Sequence, residues 1–494
     1  MLGEKRRDEP MFYYVKLDDM IPEDHLLRLI HRYVDFSFIR SKVKHLYSHT
    51  GRPSIDPELL LRMLLIGYLY GITSERRLCE EVRMHIGYRW FVGLSLEERV
   101  PDHSTFSKNR HERFAENDVF QNIFDEIVSQ CLQHGLVGGR HLTVDATHIR
   151  ADASFKSMEP VVVEMKPKEY IETLEEKNIV EETPWEPGDD YPHRGQKISN
   201  TTHRSATDPD ARLARKAPGG GAQLAHSATY VIDNGTSIIL GADVSKPDLA
   251  SEGTTALGQL LRIPWAFGCM PGTVGADRGY STGSFFHTLV TAGIDPHVPV
   301  KDYRSQNDNG IYPITAFRFD ERENRFLCPE GKELTYWGIH HHSRQHVYRA
   351  RLKDCRVCPR KQACTRDRSR SLSYHIHEAS IETARQLTKT PAYRISQRMR
   401  KRIEELFGEA KEFMGLRRAK FRLRRFLREQ ILMTATAQNI KRMVKLLSRM
   451  GPKKEVKALG QPLTARCLSL LFLLVGIRRE KTVITHVGHS VRPV

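Results

Sequence analysis

The chain has 494 residues, 39% of them hydrophobic and 28% charged, with a formal net charge of +17. That length can bury several cores, and the mix excludes a disordered or membrane-embedded chain. The cationic excess argues against an acidic small molecule as partner and suits a polyphosphate. The opening residues, MLGEKRRDEP, carry no apolar run, so no signal peptide is expected. The longest apolar run, near Cys467 to Ile477, is too short to span a bilayer and reads as a buried helix or strand. A cytoplasmic protein is the expectation, with its 8 cysteines reduced or metal-bound rather than disulfide-bonded.

In chain order, residues 12 to 136 read as mostly helical. Asp56-Pro57 is an N-cap followed by proline at the first helical position, and Leu59 to Tyr70 is an almost wholly apolar core helix. Ser74 to Met84 and Asp118 to His134 show helical periodicity. Pro101 to Phe106 predicts a turn into a capped helix carrying Lys108, Arg110 and Arg113. This is a small helical unit suited to DNA, or a scaffold with no ligand. The pattern changes at His141. Leu142-Thr143-Val144 predicts a short strand ending on Asp145. From Ser157 to Asp190 there are 11 acidic residues against 3 lysines, which predicts an exposed or disordered insertion. Pro218 to Gly221 is a flexible joint. Thr229 to Ile232 and Thr236 to Val244 predict a hairpin around Asp233-Asn234-Gly235. Ser251 to Leu261 is a helix candidate. Gly272 to Ala276 predicts a strand ending on Asp277, then a helix from Gly283 to Ala292 and a strand from Ile294 to Val298. Strands mixed with helices indicate an α/β core.

The most informative stretch is the basic segment Met399 to Met414, predicted as one helix. At about 100° per residue, Arg400, Glu404 and Lys411 fall within a wedge of about 40°. Met399, Ile403, Leu406, Phe407, Ala410, Phe413 and Met414 form the neighbouring apolar stripe, while Glu405, Glu409 and Glu412 project to the far side. Between Arg394 and Arg449 there are 17 Lys/Arg and 5 Asp/Glu, a local excess of +12. Asp145 and Asp277 each end an apolar strand, where α/β sheets place ligand-lining residues; a turn-capping role is the alternative for each. With Glu404 they make a three-carboxylate set of the kind that holds two divalent cations about 3.5–4 Å apart for phosphodiester cleavage. Oxygen ligands suit Mg²⁺. Asp152, beyond the short strand, and Asp243, within a hairpin strand, are weaker rivals.

Here a resemblance becomes specific. Thr143-Val144-Asp145-Ala146-Thr147, Ala276-Asp277-Arg278-Gly279-Tyr280 and the Arg400/Glu404/Lys411 segment resemble the DDE transposases of bacterial insertion sequences. Thr207-Asp208-Pro209-Asp210-Ala211-Arg212, Gly415-Leu416-Arg417-Arg418 and Gln438-Asn439-Ile440-Lys441-Arg442 add to the likeness, which spans residues 10 to 447. Gly51 to Phe114 resembles the helical domain that precedes the catalytic core in that family. The resemblance implies an RNase H-like mixed-sheet core at 137–449, a helical domain at 1–136 that binds terminal-repeat DNA, an acidic insertion at 155–200 and a cysteine-containing insertion at 303–390. Residues 450–494 have no counterpart in it. It also implies Asp145, Asp277 and Glu404 as catalytic ligands of two Mg²⁺, for which Mn²⁺ can substitute. Arg400, Lys411, Arg417 and Arg418 then bind DNA phosphates. The implied reaction nicks element ends and joins the freed 3′-hydroxyls to target DNA. A homodimer on paired double-stranded ends, associated with the nucleoid, is the implied assembly. Related branches place a tyrosine ahead of this Arg, Glu and Lys; here Gln397 stands there, with Tyr393 one turn earlier as the residue that would substitute.

Cys355, Cys358 and Cys364, with Cys328 upstream, resemble a four-thiolate zinc knot. Partly buried free thiols are the alternative, and His340 to His342 and His346 are weaker ligand candidates. Cys79, Cys131, Cys269 and Cys467 read as core cysteines. Two other functions fit the same residues: a structure-selective nuclease on the same fold, or a DNA-binding descendant with a dead site. The presence of all three carboxylates argues against the dead site.

Overall fold

The computed structural model describes residues 16–48, 50, 54–109, 114, 118–161, 198–215, 221–301, 310–341 and 343–450. Most of the acidic insertion, Pro218 to Gly220, Arg110, Arg113, His342 and the 450–494 tail apart from Met450, including Cys467, lie outside the described residues.

The N-terminal region is helical: α1 (Leu26–Tyr33), α2 (Phe38–Val43), α3 (Pro57–Leu69), α4 (Glu75–Met84), α5 (Ile86–Val92), α6 (His103–Lys108) and α7 (Val119–Gln133). Its caps are local and follow the sequence. Asp56 Oδ1 accepts from the Glu58 N–H at 2.9 Å with Pro57 at the first turn. Asp102 Oδ1 likewise accepts from Ser104 at 2.9 Å. Helix α3 is buried on nearly every side, as its unbroken apolar run demands.

The main sheet is built on β1 (His141–Arg150). Antiparallel to it lies β5 (Gln223–Asp233), in register from Leu142 opposite Asp233 to Arg150 opposite Ala225. Strand β6 (Ile239–Ser245) pairs antiparallel with β5, and the short β4 (Arg212–Ala214) pairs with the opening of β5. On its other side β1 runs parallel to β7 (Thr273–Gly275), which is parallel to β8 (Asp295–His297). The order β6-β5-β1-β7-β8, with three antiparallel strands followed by two parallel ones, is that of an RNase H-like core. The parallel crossovers run through α8 (Leu249–Phe267) and α9 (Gly283–Thr291). A two-stranded ribbon, β2 (Met158–Pro160) with β3 (His203–Ser205), brackets the acidic insertion.

Between β8 and the C-terminal helices stands a second, five-stranded antiparallel sheet: β9 (Arg318–Asp320), β10 (Arg325–Leu327), β11 (Glu333–His340), β12 (Gln345–Ala350) and β13 (Ser371–His375), with short helices α10 (Leu352–Arg356) and α11 (Lys361–Cys364). It has its own apolar cluster around Phe326, Leu334 and Tyr348. Helices α12 (Glu378–Leu387), α13 (Pro391–Met399), α14 (Lys401–Phe413) and α15 (Arg424–Met450) return the chain to the main core. Helix α15 packs against α1, α3, α7 and β6, so one apolar cluster runs from Leu27 to Val444. No helix among the described residues is long and apolar enough to cross a membrane.

Three expectations need correcting. Strand β1 does not end at Asp145 but continues to Arg150, because β5 pairs with it over that whole length. Periodicity predicts one helix from Met399; the chain instead forms α13 and α14 with Arg400 in the turn between them. The turn is tightened by an Ile403 N–H donating three residues back to the Arg400 carbonyl. Glu409 is not on a far, solvated side: it is turned toward α15, accepting from Lys441 and, at 3.0 Å, from Gln438.

Candidate active site

The site forms where β1 loses one neighbour. Strand β7 pairs with His141 to Thr143 only, so the β7-side edge of β1 is free from there onward. It is covered again at Arg150, whose N–H donates to Arg417 and whose carbonyl accepts from Ala419. Asp145 stands just past the point where β7 departs. Its Oδ1 accepts from the Ala146 N–H at 2.8 Å. Asp277 follows β7 directly, and its Oδ1 accepts from Gly279 at 2.7 Å. It therefore caps the following turn while sitting at the carboxyl end of a parallel strand. Glu404 is in the first turn of α14 with its side chain 57% exposed.

Arg400 links two of these acids. Nη1 lies 3.3 Å from Asp145 Oδ2, and Nη2 lies 3.6 Å from Glu404 Oε1. Burial pushes the Asp145 carboxyl up to about 7, and the charges of Asp277 and Glu404 add to the rise against the Ala146 N–H and Arg400. The buried Tyr280 phenol is likewise pushed well up by burial, then by Asp145, Glu252 and Asp277. The three predicted carboxylates thus act on one neighbourhood. Among the described residues, no three His, Cys, Asp or Glu side chains stand close enough as they are to hold a metal ion. Arg400 supplies the positive charge between Asp145 and Glu404.

The predicted cations line the same edge. Lys411 Nζ donates to Thr147 Oγ1 at 2.6 Å. Arg417 pairs with Glu412, and Arg418 with Asp152 at 2.8 Å. The rival acids are engaged elsewhere: Asp152 also accepts from Arg422, and Asp243 accepts from Arg428 and Gln259. Gln397, at the tyrosine position, donates to the carbonyls of Ala276 and His297 and so ties α13 to the ends of β7 and β8. Tyr393 packs edge-on against His297. Sequence reasoning gave no sign of the Gln397 contacts, which join segments 100 and 121 residues apart.

In the second sheet, Cys328, Cys355 and Cys364 border one apolar cluster. Burial raises the Cys364 thiol; Arg370 opposes this, and Cys355, Cys328 and Cys358 add to it. All four are free thiols. A tight turn surrounds Cys328, whose N–H donates to the Lys332 carbonyl while its sulfur accepts from the Lys332 N–H. His340 bonds Ser343, and His346 lies 3.4 Å from the Tyr336 hydroxyl, both away from that turn. Cys79 and Cys131 are buried and Cys269 half-buried, as core thiols.

Two family models match the chain. One, described as a transposase domain (DUF772), covers residues 15–112. The other, a transposase DDE domain, covers residues 327–444 and so includes Arg400, Glu404 and Lys411. Two separate stretches of the chain thus match models of transposase domains. No curated protein matches this chain. Among solved structures it is similar to the piggyBac transposase in a cryo-EM synaptic complex with hairpin DNA, at 9% identity and a TM-score of 0.32, over 87% of this chain and 76% of that one. A likeness that distant says nothing about individual residues of this chain.

Proposed function

We propose that this chain is a transposase that cuts the ends of an insertion sequence and joins the freed 3′-hydroxyls to target DNA, with Asp145, Asp277 and Glu404 as its catalytic carboxylates. The observation that carries the reading is that Arg400 bridges Asp145 and Glu404 at the free edge of β1, with Asp277 just after the neighbouring strand β7. Like-charged carboxylates brought together at the end of a parallel strand are costly unless a cation joins them. Their oxygen donors fit Mg²⁺. When bound, a pair of such ions supplies an activated attacking oxygen and a stabilised leaving oxygen. Asp145 and Asp277 would hold them from the rigid sheet. Glu404, exposed on the first turn of α14, would complete the set by turning inward as Arg400 gives way. Arg400, Lys411, Arg417 and Arg418 then position backbone phosphates. DNA ends are the partner, and a homodimer on paired ends is the assembly.

The test incubates the protein with the ends of its own flanking element, Mg²⁺ and a plasmid, and sequences the junctions. Joined products support the reading. Cleavage without joining supports a nuclease instead. Glu404→Ala should abolish cleavage while leaving end binding largely intact; cleavage at the wild-type rate removes Glu404 from the site.

A further inference from the structure

A second cluster of polar side chains stands beside the carboxylates and is used by nothing described so far. Glu252, in the first turn of α8, is only 8% exposed. Its Oε1 accepts from the fully buried Ser227 hydroxyl at 2.6 Å. The same oxygen lies 3.6 Å from His148 Nε2. His148 and Ser227 are direct cross-strand partners on β1 and β5, so one face of the sheet presents both to α8.

A buried carboxylate is costly unless its lone pairs are answered. Ser227 answers this one with a hydrogen bond and the His148 ring stands beside it at 3.6 Å, and that alone is a structural role. The position of His148 goes beyond it. Its side chain is 29% exposed, on the stretch of β1 that lacks a partner on the β7 side. It borders a groove of about 550 Å³ lined with Thr147, Arg150, Lys411, Arg417 and Arg418. These cations come from β1, α14 and the segment after it, and none of the named lining residues is acidic.

Side chains alternate along a strand. Thr147 faces α14, where it meets Lys411, and His148 faces α8, where it meets Glu252. A polyanion lying along the free edge meets both rows at once. Three residues of strand, about 10 Å, separate His148 from Asp145, so His148 reaches a nucleotide adjoining the one at the carboxylates. Glu252 lies 3.6 Å from Nε2, beyond hydrogen-bond distance but within ion-pair reach of the protonated ring, which also carries an N–H at Nδ1. Among the described residues Nδ1 has no partner.

We infer that His148, oriented by Glu252, is a DNA-positioning residue that donates to a backbone phosphate of the strand lying along the free edge of β1. This rests on the proposed function, since it takes the polyanion to be the DNA that is cut. Glu252 acts through His148 and touches no DNA itself.

The experiment measures end-DNA affinity in a full-length Asp145→Asn background, where nothing is cut, and KM and kcat in the wild-type background. His148→Ala should raise both Kd and KM about tenfold, the scale of one hydrogen bond to a charged group, with kcat nearly unchanged. His148→Gln, which keeps a side-chain N–H donor, should recover most of the loss. Glu252→Gln should give an intermediate rise. If His148→Ala does not fold, His148→Gln and Glu252→Gln carry the test, and a several-fold rise in KM at constant kcat for Glu252→Gln supports the inference. Wild-type KM in the folded variants overturns it. So does a loss that appears in kcat alone, or one that follows the melting temperature and is not recovered by glutamine. A wild-type protein that does not cut end DNA overturns the proposed function, whereas a wild type that cuts beside an unaffected His148→Ala overturns only the role of His148.

Discussion

Arg400 pairs with Asp145 across 255 residues of sequence, Nη1 to Oδ2 at 3.3 Å, while its other terminal nitrogen faces Glu404 at 3.6 Å. One guanidinium therefore holds the charge of two carboxylates that otherwise repel. Under the proposed function, Asp145 and Glu404 would hold a divalent cation only with the guanidinium displaced, and Arg400 would then be available to a phosphate.

Arg400→Ala should therefore separate two effects. DNA cleavage should fall about 100-fold, the scale of losing one preorganised charge-stabilising group. Yet the rise in melting temperature on adding Mg²⁺ should grow, because the competing cation is gone and ligand binding stabilises through its occupancy. Thermal melts with and without Mg²⁺ check this. An unchanged Mg²⁺ response would place Arg400 outside the competition.

The raised Asp145 carboxyl makes a second prediction, for metal-free protein. Its folded pKa of about 7 lies above the ordinary 3.8. A folded state that binds its proton more tightly is stabilised below the unfolded pKa. That stabilisation is lost as pH rises from about 4 through about 7. Asp145→Asn removes the buried charge, so at pH 8 without metal it should be more stable than wild type, by up to about 4 kcal/mol for a shift of this size. At pH 4 the two should be nearly alike. Urea denaturation at both pH values decides, and equal stability at pH 8 would mean the carboxylate is not strained.

How much of this was legible in the sequence depends on how local each cause is. The Asp56 and Asp102 caps, the apolar helix α3 and the hairpin of β5 and β6 all follow from neighbouring residues, and all are present. The full length of β1 was not legible. Its second half faces a polar groove on one side and Glu252 on the other, so apolar alternation stops while backbone pairing with β5 continues. The break at Arg400 was hidden too, because no glycine or proline marks it. Gln397 stands out in sequence only as the residue at the tyrosine position, and nothing marks His148, since their partners lie 100 or more residues away.

The cysteine insertion is a third test. Four thiols near one turn-rich end of the second sheet are the donor type that tetrahedral Zn²⁺ takes as thiolates, and they would have to draw closer than they stand here to hold it. Metal analysis of purified protein should find about one zinc per chain by that donor set. The Cys355→Ser/Cys358→Ser variant should lose it and expose the second sheet to proteolysis. Protein that carries no zinc and resists chelators at wild-type stability would leave these as free core thiols.

The Asp208–His226 pair gives the last prediction. Nε2 lies 2.8 Å from Oδ2, with both side chains fully buried. Burial acts to raise the Asp208 carboxyl, but the hydrogen bond and charge of His226 and the Leu423 N–H outweigh it and hold it below the usual range. The same carboxylate fixes Leu423, a residue at φ 66°, and neighbouring Asp210 accepts from the Arg424 N–H. The Thr207 to Asp210 loop therefore anchors the start of α15 and, with it, the preceding segment that carries Arg417 and Arg418. Removing one partner leaves the other buried without its pair, so Asp208→Asn should cost about 3–5 kcal/mol. A lowered carboxyl contributes stability above the ordinary 3.8 and loses it as pH falls through the folded value, so the penalty should shrink in acid. His226→Ala should cost a similar amount, and the double variant far less than their sum. Because the loop holds the arginine segment, end-DNA affinity should weaken in the single variants even at temperatures where they remain folded. Additive stabilities with unchanged DNA affinity would reduce the pair to two independent core residues.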